Sequence, residues 1–277
     1  MTVTSLGLLI QPRDLEQAIN NHDDLLIIDV SSDDNYRKHH IAGSQHITPS
    51  SLLCGIKPAA GKIPDRDDLT TLMRSIGLNK QQHIVVLDDE GGGWAGRLIW
   101  TLDVLGYRNY SYLDGGLVSW LNEGHPVTTD LPAPISSDFS IDVYDESVIA
   151  EVDDIIGALN DSDFRIWDAR SAGEYDGSKV LAAKGGHIPG AKHLEWTDLM
   201  DKSRNLRLLP LDQIQQMLDH RDLGRDKNIV THCQSHHRSG LTYLVAKILG
   251  YDRIRGYHGS WGEWGNHPDT PVESTPV

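Results

Sequence analysis

The sequence predicts an α/β protein made of two copies of one unit, each a mostly parallel sheet with helices on both faces. Three observations predict it. Short apolar runs alternate with helical patterns along the first half, at 25–30, 67–76, 84–87, 95–105 and 110–113, which is the signature of βαβ units. Offsetting the chain by about 140 to 145 residues lays one half on the other. A length of 277 residues is enough for two domains that each bury a core.

The repeat can be followed element by element. Leu25-Leu26-Ile27-Ile28-Asp29-Val30 matches Phe164-Arg165-Ile166-Trp167-Asp168-Ala169, each read as a buried strand ending in aspartate. His40-Ile41-Ala42-Gly43-Ser44 matches His187-Ile188-Pro189-Gly190-Ala191. His83-Ile84-Val85-Val86-Leu87-Asp88 matches Asn228-Ile229-Val230-Thr231-His232-Cys233. Leu105-Gly106-Tyr107 matches Leu249-Gly250-Tyr251, and Asp114-Gly115-Gly116 with Trp120 matches His258-Gly259-Ser260 with Trp264. Pro132 and Pro134, with serines and aspartates and little periodicity, mark a linker at 128–146 between a first domain, 1–127, and a second, 147–277. The last residues, 273–277, read as a loose tail.

Chemistry concentrates at Cys233. Apolar Ile229 and Val230 and β-branched Thr231 lead into it as a strand, and Leu241, Leu244, Val245, Ile248 and Leu249 follow at helical spacing. Cys233 therefore stands where a strand turns into a helix. Backbone N–H groups and the helix dipole there favour an anion, and the thiolate is the reactive form of cysteine. Arg238 follows at Cys-x4-Arg spacing. That loop is one residue shorter than the Cys-x5-Arg cradle of protein tyrosine phosphatases, and suits a single terminal sulfur better than a tetrahedral phosphoryl group.

At these residues the chain resembles the rhodanese family of thiosulfate sulfurtransferases. The resemblance rests on the Cys233 loop, Asp168-Ala169-Arg170, Glu174-Tyr175, Gly186-His187-Ile188-Pro189-Gly190-Ala191 and Gly259-Ser260-Trp261-Gly262-Glu263-Trp264, in the family's order. It implies two tandem rhodanese-like domains and a double displacement through a Cys233 persulfide. Gln234, Ser235, His236, His237, Arg238 and Ser239 would cradle that persulfide, with Arg238 drawing in the donor and holding its sulfonate. Asp168 and Arg170 would brace the fold by charge pairing. Trp196 reads equally as a pocket wall or as core packing. The implied donor is thiosulfate, with 3-mercaptopyruvate as the alternative. The acceptor is cyanide, a thiol or a sulfur-carrier protein, and no cofactor is called for. The rival classes are a cysteine-dependent phosphatase and a non-catalytic sulfur-carrier partner.

Two departures stand out. The loop Cys-Gln-Ser-His-His-Arg contains no glycine, and Glu174 stands where the family has a substrate-binding arginine. In the first half Asp88 replaces the nucleophile, and Asp89, Glu90, Gly91, Gly92 and Gly93 follow with no arginine. A carboxylate cannot accept a sulfane sulfur, so the first domain is expected to be catalytically inactive. Asp88 itself reads either as a relic of the nucleophile position or as a solvated loop acid.

The bland alternatives are weaker. An inert buried thiol does not account for the histidines and arginine around Cys233. A metal site at His232, Cys233, His236 and His237 would need four ligands from six residues to turn to one ion, so no metal is expected. Cys54 lies in a loop-like stretch and reads as a bystander. Two cysteines exclude a disulfide framework and suit a reducing compartment. A net charge of -15 argues against nucleic acid or an anionic membrane as partner. The first residues lack a basic start and no apolar run approaches the roughly 20 residues of a membrane span, so a cytoplasmic location is expected.

Overall fold

The computed structural model describes residues 6–21, 25–133 and 135–275. Its elements run in two series. The first is β1 (Leu9–Ile10), α1 (Pro12–Asn21), β2 (Leu25–Asp29), α2 (Asp33–Lys38), β3 (Gln45–His46), α3 (Arg66–Ser75), β4 (His83–Leu87), α4 (Gly93–Val104), β5 (Tyr110–Leu113) and α5 (Gly116–Asn122). The second is β6 (Ile149–Ala150), α6 (Val152–Ala158), β7 (Phe164–Asp168), α7 (Ala172–Tyr175), β8 (Lys192–His193), β9 (Met200–Asp201), β10 (Arg207–Leu208), α8 (Leu211–Asp219), β11 (Asn228–His232), α9 (Arg238–Ile248), β12 (Ile254–Tyr257) and α10 (Ser260–Trp264).

Each series forms a five-stranded sheet, ordered β1-β5-β4-β2-β3 and β6-β12-β11-β7-β8, and every pairing within them is parallel. The repeat in the sequence is thus a repeat in topology. The central strands explain their own composition. Successive side chains of a strand point to opposite faces, and Ile84, Val85, Val86 and Leu87 of β4 are all fully buried, so both faces of that sheet are covered. The same holds for Ile229, Val230, Thr231 and His232 of β11. The helices that follow these strands are buried nearly all round, from Ser239 to Ala246 in α9 and from Ala95 to Val104 in α4.

The compact units are not contiguous in sequence. One comprises 1–52, 64–144 and 200–208, and the other 53–63, 145–199 and 209–277. This amends the boundaries at 127 and 147 drawn from the sequence, for identifiable reasons. Thr128 exchanges both backbone hydrogen bonds with His40 at 2.9 and 3.1 Å, and Arg74 Nε donates to the carbonyl of buried Phe139 at 2.7 Å. The expected linker is therefore stitched to the first unit as far as 144, with Pro134 lying outside the described residues. The β9–β10 hairpin joins the first unit through Leu208 N–H, which donates to Asp114 at 2.9 Å, and Arg207, which pairs with Glu123 at 2.6 Å. In the tail, Glu273 exchanges backbone hydrogen bonds with His187 at 2.8 and 2.9 Å, and Ser274 donates to the Asp176 carbonyl. Residues 273–275 are therefore anchored, while 276 and 277 lie outside the described residues. No helix among the described residues is long and apolar enough to cross a membrane.

Helix α3 carries a side-chain cap. Asp65 accepts from the N–H groups of Asp67 and Asp68 at 3.0 and 2.9 Å, satisfying two donors that have no partner within the helix. Asp65→Ala is expected to lower the unfolding free energy by about 1 kcal/mol in a urea titration, with the m-value unchanged.

Candidate active site

The turn from β11 into α9 holds Cys233 with its side chain fully buried. Burial alone would disfavour a thiolate. It is outweighed by the charge of Arg238, by hydrogen bonds from the hydroxyl and N–H of Ser239, and by His237, so the thiol titrates below its usual value. The Ser239 hydroxyl also lies 2.7 Å from His236 Nδ1. For that hydroxyl to donate to sulfur, His236 Nδ1 must carry a proton and donate to Ser239. The loop's shape is fixed from below by Ser260, whose Oγ accepts from Cys233 N–H at 3.3 Å and His236 N–H at 3.0 Å while donating to the Tyr257 carbonyl at 2.8 Å. Trp261 N–H and Gly262 N–H donate to the carbonyls of Cys233 and Gln234, each at 2.9 Å.

Arg238 is committed in a way the sequence reading did not foresee. Its Nη1 and Nη2 donate to the two carboxylate oxygens of Glu174 at 2.7 and 2.8 Å. Glu174 is buried and also accepts from Ser171 Oγ at 2.7 Å. Burial opposes its ionisation, but these partners carry its carboxyl down to about 2, so the pair persists at neutral pH, and the stability it contributes declines below about 4.5 and is gone once pH has fallen through about 2. The expectation that Arg238 holds a donor's sulfonate is amended accordingly: the fork of its guanidinium is occupied, and what it offers Cys233 is charge. Glu174, noted in the sequence as part of Glu174-Tyr175 and as a missing arginine, is the partner that sets this.

Asp168 and Arg170 form a buried pair. Arg170 donates through Nε and Nη2 to both oxygens of Asp168, at 2.6 to 3.0 Å, and through Nη2 to the Gly186 carbonyl at 2.8 Å. Its guanidinium stacks 4.2 Å from the centre of the Trp261 ring. Burial opposes ionisation of Asp168, yet neighbouring His232 and Arg170 pull its carboxyl down to about 2. Burial in turn holds the His232 titration below its usual value. Trp196 is half-buried with its ring 5.8 Å from that of His237, which places it at the flank of the loop. Gln234 and Ser235 are half-buried, and Gln234 Nε2 reaches the Leu181 carbonyl at 3.4 Å. Cys54 is half-buried and its thiol faces the carbonyls of Ala59 and Ala60. Among the described residues no group of three or more His, Cys, Asp or Glu is placed to hold a metal ion.

The first unit repeats the turn with a different occupant. Asp88 is fully buried, which overturns the reading of a solvated loop acid. One carboxylate oxygen accepts from the N–H groups of Glu90, Gly91 and Gly92 at 3.2, 3.1 and 2.9 Å, and the other from Gly92 and Ala95 at 3.1 and 2.9 Å. Gly91 and Gly92 adopt φ of 93° and 108°, which turns their N–H groups inward. The cradle is filled by its own side chain. Burial and the charge of Glu90 push that carboxyl up to about 7 against the pull of the N–H groups.

Two α/β units of one topology, one of them carrying a buried, acidified thiol at a strand–helix turn, define a class of cysteine-centred proteins. The model of the rhodanese-like domain matches residues 11–123 and again 151–267, and the chain belongs to that family. It is 51% identical over 269 residues to a thiosulfate sulfurtransferase of Azotobacter vinelandii, covering 97% of this chain and 98% of that protein. It is 45% identical over 270 residues to one of Pseudomonas aeruginosa, with 98% of both covered. A 3-mercaptopyruvate sulfurtransferase of Escherichia coli K12 is more distant, at 29% over 247 residues, covering 86% of this chain and 84% of that one. The fold is shared with an anaerobic ergothioneine biosynthesis enzyme from Chlorobium limicola, at a TM-score of 0.88 and 19% identity over 98% of this chain and 70% of that one.

Removal of the Arg238 charge tests the electrostatics. In Arg238→Ala the pH midpoint for alkylation of Cys233 by iodoacetamide, followed by peptide mass, is expected to rise, since the thiolate loses its main opposing charge.

Proposed function

We propose that this protein is a thiosulfate sulfurtransferase that works through a persulfide on Cys233. The observation that carries the proposal is the buried thiol whose titration is lowered by Arg238, Ser239 and His237. Full-length similarity to two thiosulfate sulfurtransferases, at 51% and 45% identity, supports thiosulfate over 3-mercaptopyruvate as donor.

The Cys233 thiolate attacks the outer sulfur of thiosulfate. The S–S bond to the sulfonate breaks, sulfite leaves with the bonding electron pair, and the outer sulfur stays on Cys233 as a persulfide anion. Cyanide or a thiolate then attacks that terminal sulfur and restores the Cys233 thiolate. Sulfite departs as a stable anion, so no general acid is needed, which fits a loop with no acid between Cys233 and Ser239. Arg238, held by Glu174, lowers the energy of the sulfur anion, and Ser239 donates to it. His237, beside the sulfur, receives the donor's anionic end, with Trp196 at the flank of the loop.

The first domain, around Asp88, takes no part in the chemistry: its cradle already holds a carboxylate, and a carboxylate cannot carry sulfane sulfur. We place the protein in the cytoplasm, because its two cysteines are both free thiols and Cys233 must stay reduced to react. A sulfur-carrier protein is a candidate acceptor beside cyanide and small thiols.

Intact mass after brief exposure to thiosulfate should rise by one sulfur atom and fall back on adding cyanide; a protein that never gains sulfur would reject the proposal. Cys233→Ser is expected to abolish both the gain and the turnover. Asp88→Ala should leave turnover within about twofold of wild type while costing about 1–3 kcal/mol in unfolding free energy, because buried N–H donors lose their acceptor.

A further inference from the structure

The segment Leu53–Ile63 is separated in sequence from the rest of its unit by residues 64–144, yet it belongs to the unit that contains Cys233. It is folded on itself: Cys54 N–H donates to the Lys62 carbonyl at 2.8 Å, Gly55 N–H to the Ala60 carbonyl at 3.1 Å and Lys62 N–H to the Ala59 carbonyl at 2.9 Å. This compact strap lies directly on the catalytic loop. A Cβ on Gly61 would fall 2.4 Å from the carbonyl oxygen of Ser235 and 2.6 Å from its Cα, which leaves room for hydrogen alone. Pro58 and Gln234 meet at a second glycine, since a Cβ on Gly262 would lie 3.0 Å from the carbonyl oxygen of each.

The strap is clamped next to this contact. Lys62 Nζ pairs with Glu151 at 2.8 Å and with Glu263 at 3.0 Å, and burial, the largest influence on it, fails to offset the two carboxylates, so its ammonium is held more firmly than usual. Ile63 N–H donates to His258 Nδ1 at 3.1 Å, which leaves His258 Nε2 to donate to Glu151 at 2.9 Å. Two tethers, at Lys62 and Ile63, therefore hold the strap where the Gly61 backbone packs on one peptide of the loop.

We propose that Gly61 and Lys62 are positioning residues for sulfur transfer: the strap 53–63 fixes the Ser235 peptide and, through it, the geometry of the loop that holds the Cys233 sulfur. This rests on the sulfurtransferase reading for its catalytic consequence, but not for its structural one. The contact is backbone to backbone, so it cannot yield by rotating a side chain. Any group added at Gly61 displaces either the strap or the loop. Displacing the loop moves the donors around the sulfur, and catalysis is sensitive to shifts of about 1 Å.

The test uses the full-length protein, with two readouts on each variant. Thiosulfate:cyanide turnover gives kcat and KM, and the pH midpoint of Cys233 alkylation reports the loop without requiring any sulfur transfer. Gly61→Ala is expected to lower kcat by about tenfold or more and to raise the alkylation midpoint. Lys62→Met, which leaves the steric contact intact and removes the clamp, is expected to shift both in the same direction by a smaller amount, and Lys62→Arg to restore them. Wild-type turnover and midpoint in Gly61→Ala would overturn the proposal. So would wild-type values in Lys62→Met, and that variant decides the matter should Gly61→Ala fail to fold. If the wild-type protein itself gains no sulfur, the sulfurtransferase reading fails, while the alkylation midpoints still decide whether the strap positions the loop.

Discussion

A sulfur anion with no solvent around it must be held by donors that are already in place, and this constraint organises the second unit. Cys233 is fully buried, so every stabilising group has to come from the protein. The cysteine follows strand β11 directly, and α9 delivers Arg238 and Ser239 five and six residues on. The serine supplies hydrogen bonds and the arginine charge. An unpaired arginine would also be costly at this depth, and Glu174 solves that problem with a bidentate pair. Glu174 is itself held by Ser171, the residue that caps α7, and this short helix starts four residues after strand β7 ends at Asp168, next to the Asp168–Arg170 pair. The ion pairs are thus successive supports for one sulfur atom.

The same constraint explains how the two repeats differ. In the first unit the N–H groups of the turn point inward and find their acceptor in the chain itself: the Asp88 carboxyl receives five backbone hydrogen bonds and fills the cradle. In the second unit the side chain ends in sulfur, which can take and release another sulfur. A strongly acidic chain with a net charge of -15 would repel an anionic donor at most of its surface. That places weight on the local field at Cys233, where Arg238, His237 and the loop N–H groups oppose the global charge.

Much of this was legible in the sequence, for physical reasons that can be named. Hydrophobic periodicity located β11 and α9 on either side of Cys233, since a buried strand and a buried helix must be apolar in those patterns. The offset between halves exposed Asp88 as the counterpart of Cys233. The pairing of Asp168 with Arg170 was named through the family resemblance, which an Asp-x-Arg at a strand end helped to carry. What escaped was contact between residues distant in sequence. Glu174 and Arg238 are 64 positions apart, and nothing in either neighbourhood announces that one guanidinium will face that carboxylate. The strap at 53–63 and the hairpin at 200–208 escaped for a related reason: both lie in irregular stretches whose composition says loop, and composition does not say on which unit a loop will dock. Ser260 was visible as the counterpart of Gly116 and as part of a family motif, with no hint that its hydroxyl would gather two N–H groups.

That last pair carries the comparison to the level of the backbone. Gly116 and Ser260 occupy equivalent positions and adopt nearly the same left-handed conformation, φ 54° and 53°. Gly91 and His236, three residues after Asp88 and Cys233, are likewise both left-handed, at 93° and 54°. In the first unit these positions are glycines, which reach such angles without strain. In the second they are a serine and a histidine, for which the left-handed region costs on the order of 1–2 kcal/mol each. The strain is offset by bonds that a glycine could not make: Ser260 Oγ fixes the N–H groups of Cys233 and His236, and His236 Nδ1 engages the Ser239 hydroxyl that bonds the sulfur. The missing glycines of the Cys-Gln-Ser-His-His-Arg loop are therefore a structural trade. The second unit accepts backbone strain at two points, and in exchange two side chains hold the loop in the one geometry that presents donors to a buried sulfur.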